Sequence, residues 1–328
     1  MKATFNTLAT CLLATLLLAG CAVKIDTSMS YVPEEGGTTF AKITNEENEQ
    51  LIVPYVGYDG SRLRWWANPY FAITKDGERL AYQASHNGRS NIFVKQLTAR
   101  SVSQQRTFSN HARDMAFSPD GERLAFAQVG NYNYSSIYIT SAIQGTVVQQ
   151  VSPTNVYDYG PQFSTDGKLI FFTRQEGITY SIWSYNLETG TFSNYCYGLS
   201  PMPINDEEFL CARQNSFNNF EIWRVNYVKG TESIILSQED RSFTTPSLSP
   251  DGQWILCTSN TPKRPGLHEN TDIYVVRTDG SRLTQLTYHE GHDLSPVWAP
   301  DGKSIYFLSQ RGSEKGIYNI WKMNFDLK

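Results

Sequence analysis

The sequence predicts an all-β fold: a six-bladed β-propeller of four-stranded blades, its ring closed by an N-terminal strand. Three observations predict it. First, an Asp-Gly pair recurs between apolar runs, at Asp76-Gly77, Asp120-Gly121, Asp166-Gly167, Asp251-Gly252 and Asp301-Gly302. Such a pair marks a hairpin, because the turn needs a positive φ that glycine tolerates. Second, a polar–Ile–aromatic triplet recurs six times: Asn91-Ile92-Phe93, Ser136-Ile137-Tyr138, Ser181-Ile182-Trp183, Glu221-Ile222-Trp223, Asp272-Ile273-Tyr274 and Asn319-Ile320-Trp321. Third, successive turns lie about 40–50 residues apart, the period of four-stranded propeller blades. A sandwich of similar strands needs no fixed repeat.

The last copy shows the unit most fully. Pro296-Val297-Trp298 ends a first strand, Ala299-Pro300-Asp301-Gly302 turns the chain, Ser304 to Leu308 returns, and Asn319 to Met323 is the third strand. A fourth strand follows most copies, at Val147 to Val151, Ser233 to Leu236 and Leu283 to Leu286. One copy is degenerate: Ile204-Asn205-Asp206-Glu207 stands where the turn belongs and has no glycine. The last copy lacks a fourth strand, while Thr38 to Thr44 reads as a spare one ahead of the first copy. Pairing the two closes the ring and removes an exposed edge. Residues 45–70 form an insertion, with a strand-like run from Leu51 to Tyr55 and Trp65-Trp66 before the first inner strand.

The N-terminus reads as an address. Lys2 precedes an apolar run, Leu12 to Leu18, too short to span a bilayer. It ends in Leu18-Ala19-Gly20-Cys21, which resembles a bacterial lipobox. That resemblance implies that residues 1–20 are a signal peptide, cut before Cys21, and that Cys21 is lipidated. Two or more acyl chains hold a protein stably at a membrane. Ala22, by resemblance to the enterobacterial sorting rule, implies the outer membrane, on its periplasmic side or at the cell surface. The polar run that follows, with Gly36-Gly37, makes residues 21–37 a flexible tether.

Several function classes are excluded or unsupported. Net charge is −4, with no basic block, so nucleic acid is not an expected partner. There is no Gly-x-Ser-x-Gly elbow, no His-Glu-x-x-His and no Cys-x-x-Cys, so no catalytic residue, metal or cofactor is assigned. The Asp-Gly pairs lack the alternating carboxylates and the final glutamate of a calcium loop. Cys196, Cys211 and Cys257 remain after Cys11 and Cys21 are accounted for. Their odd number gives no disulfide framework, and Cys211 and Cys257 read as small buried residues at equivalent second-strand positions. His289, His292 and Asp293 form the densest polar cluster; a structural role between blades is expected, with Asp158 its equivalent in an earlier copy.

Ser118-Pro119-Asp120-Gly121, Ser249-Pro250-Asp251-Gly252 and Ala299-Pro300-Asp301-Gly302, each followed by an apolar strand and a triplet such as Asp272-Ile273-Tyr274, resemble the TolB-like propeller repeat family. The propellers of dipeptidyl peptidases are similar. The resemblance covers residues 38–328. It implies that the Asp-Gly turns lie on one face of the ring and that the second-to-third loops and the blade connections lie on the other. That second face is rich in Tyr, Asn and Arg, residue types suited to adaptable recognition. Its candidate binding residues are Trp65, Trp66, His86, Arg89, Tyr132, Tyr134, Arg174, Arg213, Phe217, Arg264, His268 and Arg311. The expected function is a lipid-anchored binding module of the bacterial cell envelope, taking a protein or peptide partner, with a glycan as another ligand class. The alternative is an envelope polysaccharide lyase or hydrolase working on the same face.

Overall fold

A computed structural model describes residues 29–31, 39–44, 70–86, 89–97, 101–109, 111–130, 134–145, 148–260, 270–313 and 317–326. These residues hold strands and turns and no helix. The first two strands are β1 (Met29–Tyr31) and β2 (Thr39–Lys42). Six successive groups follow. The first is β3 (Phe71–Ile73), β4 (Arg79–His86), β5 (Arg89–Gln96) and β6 (Gln104–Gln105). The second is β7 (Ala112–Phe117), β8 (Arg123–Val129), β9 (Ser135–Ser141) and β10 (Val148–Gln150). The third is β11 (Tyr157–Phe163), β12 (Leu169–Glu176), β13 (Thr179–Asn186) and β14 (Phe192–Tyr197). The fourth is β15 (Leu199–Pro203), β16 (Glu208–Gln214), β17 (Phe220–Asn226) and β18 (Thr231–Leu236). The fifth is β19 (Phe243–Leu248), β20 (Trp254–Asn260), β21 (Thr271–Arg277) and β22 (Thr284–Gln285). The last is β23 (Asp293–Trp298), β24 (Ser304–Ser309) and β25 (Asn319–Asn324).

Within each group the strands pair antiparallel in sequence order. The second and third groups share one sheet only through a single parallel bridge, Tyr157 to Ser135. The last group is completed from the other end of the chain. β2 pairs antiparallel with β25, Phe40 opposite Met323 and Lys42 opposite Trp321. Beyond the strand proper, Ile43 N–H donates to the Ile320 carbonyl at 2.8 Å, and the Thr44 hydroxyl accepts from Ile320 N–H at 3.0 Å. Phe40 is fully buried and meets Phe307 edge-on at 6.1 Å. Lys95, in the first group, donates to the Ile43 carbonyl at 3.0 Å. β23 touches β3, so first strands of the last and first groups are neighbours.

The flexible-tether expectation needs a correction at one place. Met29 to Tyr31 is a strand, β1, paired antiparallel with β2. The outer edge of β2 offers unpaired N–H and C=O groups, and any nearby chain with strand-compatible residues can satisfy them. The remainder of the tether, the signal segment with Cys21, and the insertion at 45–69 lie outside the described residues.

The Asp-Gly turns are self-sufficient local units. In four of the five Asp-Gly turns a Ser or Thr hydroxyl two residues before the aspartate donates to its carboxylate, as in Ser164 to Asp166 at 2.6 Å and Ser249 to Asp251 at 2.5 Å; the fifth has Ala299 at that place. The same hydroxyl accepts a backbone N–H from the returning strand, as from Leu169 and Trp254, each at 2.9 Å. Hydroxyl bonds and a backbone N–H hold the carboxyls of Asp76, Asp120 and Asp251 below the usual carboxylate range. The glycine at the third place of the motif adopts φ of +66° to +74°. At Gly121 a Cβ would lie 2.5 Å from the Arg79 guanidinium of the preceding group, so a side chain there would displace the arginine as well as strain the backbone. The degenerate copy turns without glycine, with Ile204 N–H bonded to the Glu208 carbonyl at 3.0 Å.

The first strands share a device that organises the centre. β7, β11, β15, β19 and β23 each carry a register shift, and each has one residue of positive φ there: Asp114, Gly160, Ser200, Thr245 and Ser295. In four of them a proline follows. A bulge bends its strand, and proline fits where a ladder bond is already missing. The N–H groups freed by the bulges find partners on the preceding group. Ser200 N–H donates to the Thr173 hydroxyl and Ser295 N–H to the Thr258 hydroxyl, each at 3.1 Å. At the equivalent second-strand position before Gly160 stands Ala127, which offers no hydroxyl. The five bulged strands and β3 line a cavity of about 180 Å3, with Ala72, Ala116, Gln162, Met202, Ser247 and Val297 among its walls.

Candidate functional site

Topology sorts the loops onto two ends. One end carries the turns joining first to second strands and third to fourth. The other carries the loops joining second to third strands and the connections between groups. The two ends differ in chemistry. The turn end presents Asp76, Asp120, Asp166, Asp251 and Asp301, each bonded into its own turn. The loop end presents large apolar side chains to solvent. Ile178 is 85 % exposed, Phe108 67 % and Phe217 59 %, and Tyr157, Tyr197 and Tyr288 are exposed as well. All six lie in second-to-third loops or at connections. Tyr157 and Tyr134 bring their rings to 4.8 Å. The turn end exposes apolar side chains too, Val102, Ile143 and Val228 among them, but of the six exposed large aromatics among the described residues only Phe192 lies there. Exposed rings gathered on one end mark an interaction surface.

The predicted binding residues divide into three sets. Tyr134 and Phe217 stand on the loop end as expected, and Arg89 is exposed at the start of β5, opposite His86 in the register. Trp65, Trp66, Tyr132, Arg264 and His268 lie outside the described residues. Arg174, Arg213 and Arg311 reach that end in sequence but turn their guanidinium groups inward. Arg174 grips both oxygens of Asp158 at 2.7 and 2.8 Å and lies 4.5 Å from the Trp183 ring centre. Arg213 grips Glu232 at 2.7 and 2.8 Å and lies 4.6 Å from Trp223. Arg311 pairs with Asp293 at 2.7 Å and lies 3.9 Å from the Phe40 ring centre. The cause is register. An arginine near the end of a second strand faces its own sheet, where a third-strand tryptophan offers a ring and a neighbouring strand offers a carboxylate.

The polar cluster at 289–293 is likewise engaged. His289 Nδ1 accepts Gly291 N–H at 2.9 Å, and His292 Nδ1 lies 3.2 Å from the Thr271 hydroxyl of the fifth group. His292 therefore bridges two groups, as expected of this cluster. Asp293 differs from that expectation, since it pairs with Arg311 inside its own group, as Asp158 does with Arg174. Among the described residues no three His, Cys, Asp or Glu side chains converge as a metal site would require.

Sequence reading missed Phe108, Tyr157, Ile178, Tyr197 and Tyr288. An apolar residue beside a strand reads as core, and only the position of the connections moves it outside. Phe108 and Tyr288 each follow a Thr that satisfies the backbone of a third strand, Thr107 for Ile92 and Thr287 for Ile273. That repeated Thr-aromatic pair is the signal that could have found them.

Comparison with known proteins places this geometry among related folds. The family model described as the TolB beta propeller domain matches residues 26–269, well over half of the chain. The Tol-Pal system protein TolB of Francisella tularensis subsp. mediasiatica is 28 % identical over 109 residues, covering 33 % of this chain and 23 % of that protein. The match thus spans less than a quarter of that relative's own length. Crystal structures show the same fold at lower identity. TolB from Acinetobacter baumannii aligns with a TM-score of 0.55 at 22 % identity, over 70 % of this chain and 56 % of that one. An oligogalacturonate lyase from Vibrio parahaemolyticus aligns with a TM-score of 0.58 at 13 % identity, over 89 % and 94 % of the two chains.

Proposed function

The chain belongs to the TolB β-propeller domain family, and we propose that it is a binding module of the bacterial cell envelope. In this reading each four-strand group is one blade of a six-bladed ring. β2 supplies the fourth strand of the last blade and closes the ring with residues from the opposite end of the chain. Lipid on Cys21 holds the protein at a membrane, the outer one by the sorting rule that Ala22 resembles. The loop end takes a protein partner. The observation that carries this is the gathering of exposed aromatic rings there, Phe108, Phe217 and the three tyrosines, with Ile178 beside them, against a turn end whose exposed apolar groups are mostly aliphatic and whose carboxylates are bonded into their own turns. Aromatic and large apolar groups dominate the energetics of protein interfaces. TolB relatives named for the Tol-Pal system are consistent with a partner in the envelope. The likeness to an oligogalacturonate lyase extends to the fold alone.

Two expected results test the reading. Cys21→Ser is expected to abolish palmitate incorporation and to leave the precursor uncut at that position; equal labelling of variant and wild type would remove the anchor from the account. Photo-crosslinking residues placed singly at Phe108, Ile178 and Phe217 in the anchored protein are expected to yield a discrete protein adduct in intact envelopes. The same probe at Asp120, Lys168 and Asp251, on the turn end, is expected to yield none. Equal adducts from both ends, or adducts unaffected by Ile178→Asp with Phe217→Asp, would contradict it.

A further inference from the structure

Cys196 and Cys211 stand on strands of different groups, yet they pack into one apolar cluster. Cys196 stands on β14, the outer strand of the third group, opposite Ile182. Cys211 stands on β16, the second strand of the fourth group, opposite Trp223. Cys211 is fully buried with Phe171, Ile182, Phe209 and Val225, and half-buried Cys196 packs on the edge of that cluster. Ile182, the register partner of Cys196, is itself a member of the cluster that holds Cys211, so the two thiols share one apolar pocket wall. The backbone around them is pinned. Gly198, two residues after Cys196, lies so close to the fourth group that a Cβ would come 3.2 Å from the Ala212 carbonyl and 3.3 Å from Arg213 Cγ.

One cation faces the pair. Arg213 is two residues from Cys211 on the same strand and therefore on the same side of it. Its terminal nitrogens are held by Glu232, and its buried Nε has no hydrogen-bond partner of its own. The two thiols respond in opposite directions. The neighbouring Cys211 thiol and the Arg213 charge draw the Cys196 thiol down, against burial and Glu232. Burial pushes the Cys211 thiol well up. A half-exposed thiol of lowered pKa beside a buried partner is the arrangement that reacts with a disulfide and is then resolved.

We propose that Cys196 and Cys211 are a redox-convertible pair that an exogenous disulfide, such as that of a glutathione dimer or of a protein oxidant, converts to a cross-link between the third and fourth groups. The Cys196 thiolate attacks one sulfur of the oxidant, forming a mixed disulfide and releasing one thiolate. That thiolate takes the Cys211 proton. The Cys211 thiolate then attacks Cys196 sulfur, forming the intramolecular disulfide and releasing the second thiolate. The cysteine pair loses two electrons and the oxidant gains two. The closed loop is short, and a cross-link of that size raises the melting temperature by about 5 °C in a chain this long.

The test uses the full lipidated protein in detergent, treated with oxidised glutathione and mapped by peptide mass spectrometry. The expected product links the Cys196 and Cys211 peptides, leaves Cys257 reduced, and melts higher until dithiothreitol restores the starting value. In Cys211→Ala, Cys196 is expected to stop as a stable glutathione adduct. Should that buried variant fail to fold, Cys196→Ala serves instead, and Cys211 is expected to stay reduced in the folded protein. Wild-type protein that stops at a Cys196 adduct, or a Cys211 that reacts at its usual rate in Cys196→Ala, would overturn the proposal. None of these outcomes depends on the partner-binding reading.

Discussion

Replacing Arg311 with alanine is expected to destabilise the protein by about 3–5 kcal/mol, the usual cost of breaking a buried ion pair from one side. Arg311 is 3 % exposed in its side chain and Asp293 not at all. The guanidinium is bonded to the Asp293 carboxylate at 2.7 Å and to the Ser309 hydroxyl at 3.0 Å. It also lies against the rings of Phe40 and Phe307, at 3.9 and 4.8 Å. Removing it strands the Asp293 carboxylate in the interior, where the other carboxylate oxygen already has no hydrogen-bond partner. Arg311→Lys keeps the charge but loses the planar fork and the stacking, so an intermediate loss is expected. The double variant Arg311→Ala with Asp293→Ala is expected to lose less than the sum of the singles, because no charge is then left unpaired. Denaturant unfolding of wild type, Arg311→Ala, Arg311→Lys, Asp293→Ala and the double variant measures this. A loss for Arg311→Ala within about 1 kcal/mol, the scale of a surface pair, would show that the pair is hydrated.

Much of the fold was legible because the repeat is local. A Ser-x-Asp-Gly turn satisfies its own donors and acceptors within six residues, so it needs no tertiary partner to be recognised. The six Ile-aromatic triplets fall on β5, β9, β13, β17, β21 and β25. Thr39 to Lys42 was legible as a strand because its pattern matches the fourth strands elsewhere. What was not legible depends on facing and on contacts between groups. Arg174, Arg213 and Arg311 read as surface residues from composition, and the pleat turns them into the sheet. Ile178 and Phe108 read as core, and the connections carry them outside. Four of the five bulges were written only as a residue before a proline, a weak mark without the register, and the one at Asp114 had not even that. The contact of Cys196 with Cys211 joins two strands whose pairing partners are both elsewhere, so no strand-by-strand reading reaches it.

The closed ring is the claim on which the loop end depends as a rigid platform. Residues 39–44 place Phe40 in the last group's core and bond to β25 through both Ile43 and Thr44, while the Lys95 ammonium ties Ile43 to the first group. Losing one fully buried aromatic side chain costs about 1.5–3 kcal/mol. Each lost ladder bond adds about 0.5–1.5 kcal/mol, and β25 is left as an exposed edge open to association. The measurement is thermal unfolding of three chains without the lipid, beginning at residues 22, 38 and 45. The chain from 38 loses β1 alone and is expected to melt within a few degrees of the longest. The chain from 45 is expected to melt lower by about 10 °C or more, or to aggregate through β25. If all three melt together as monomers, β2 does not close the ring.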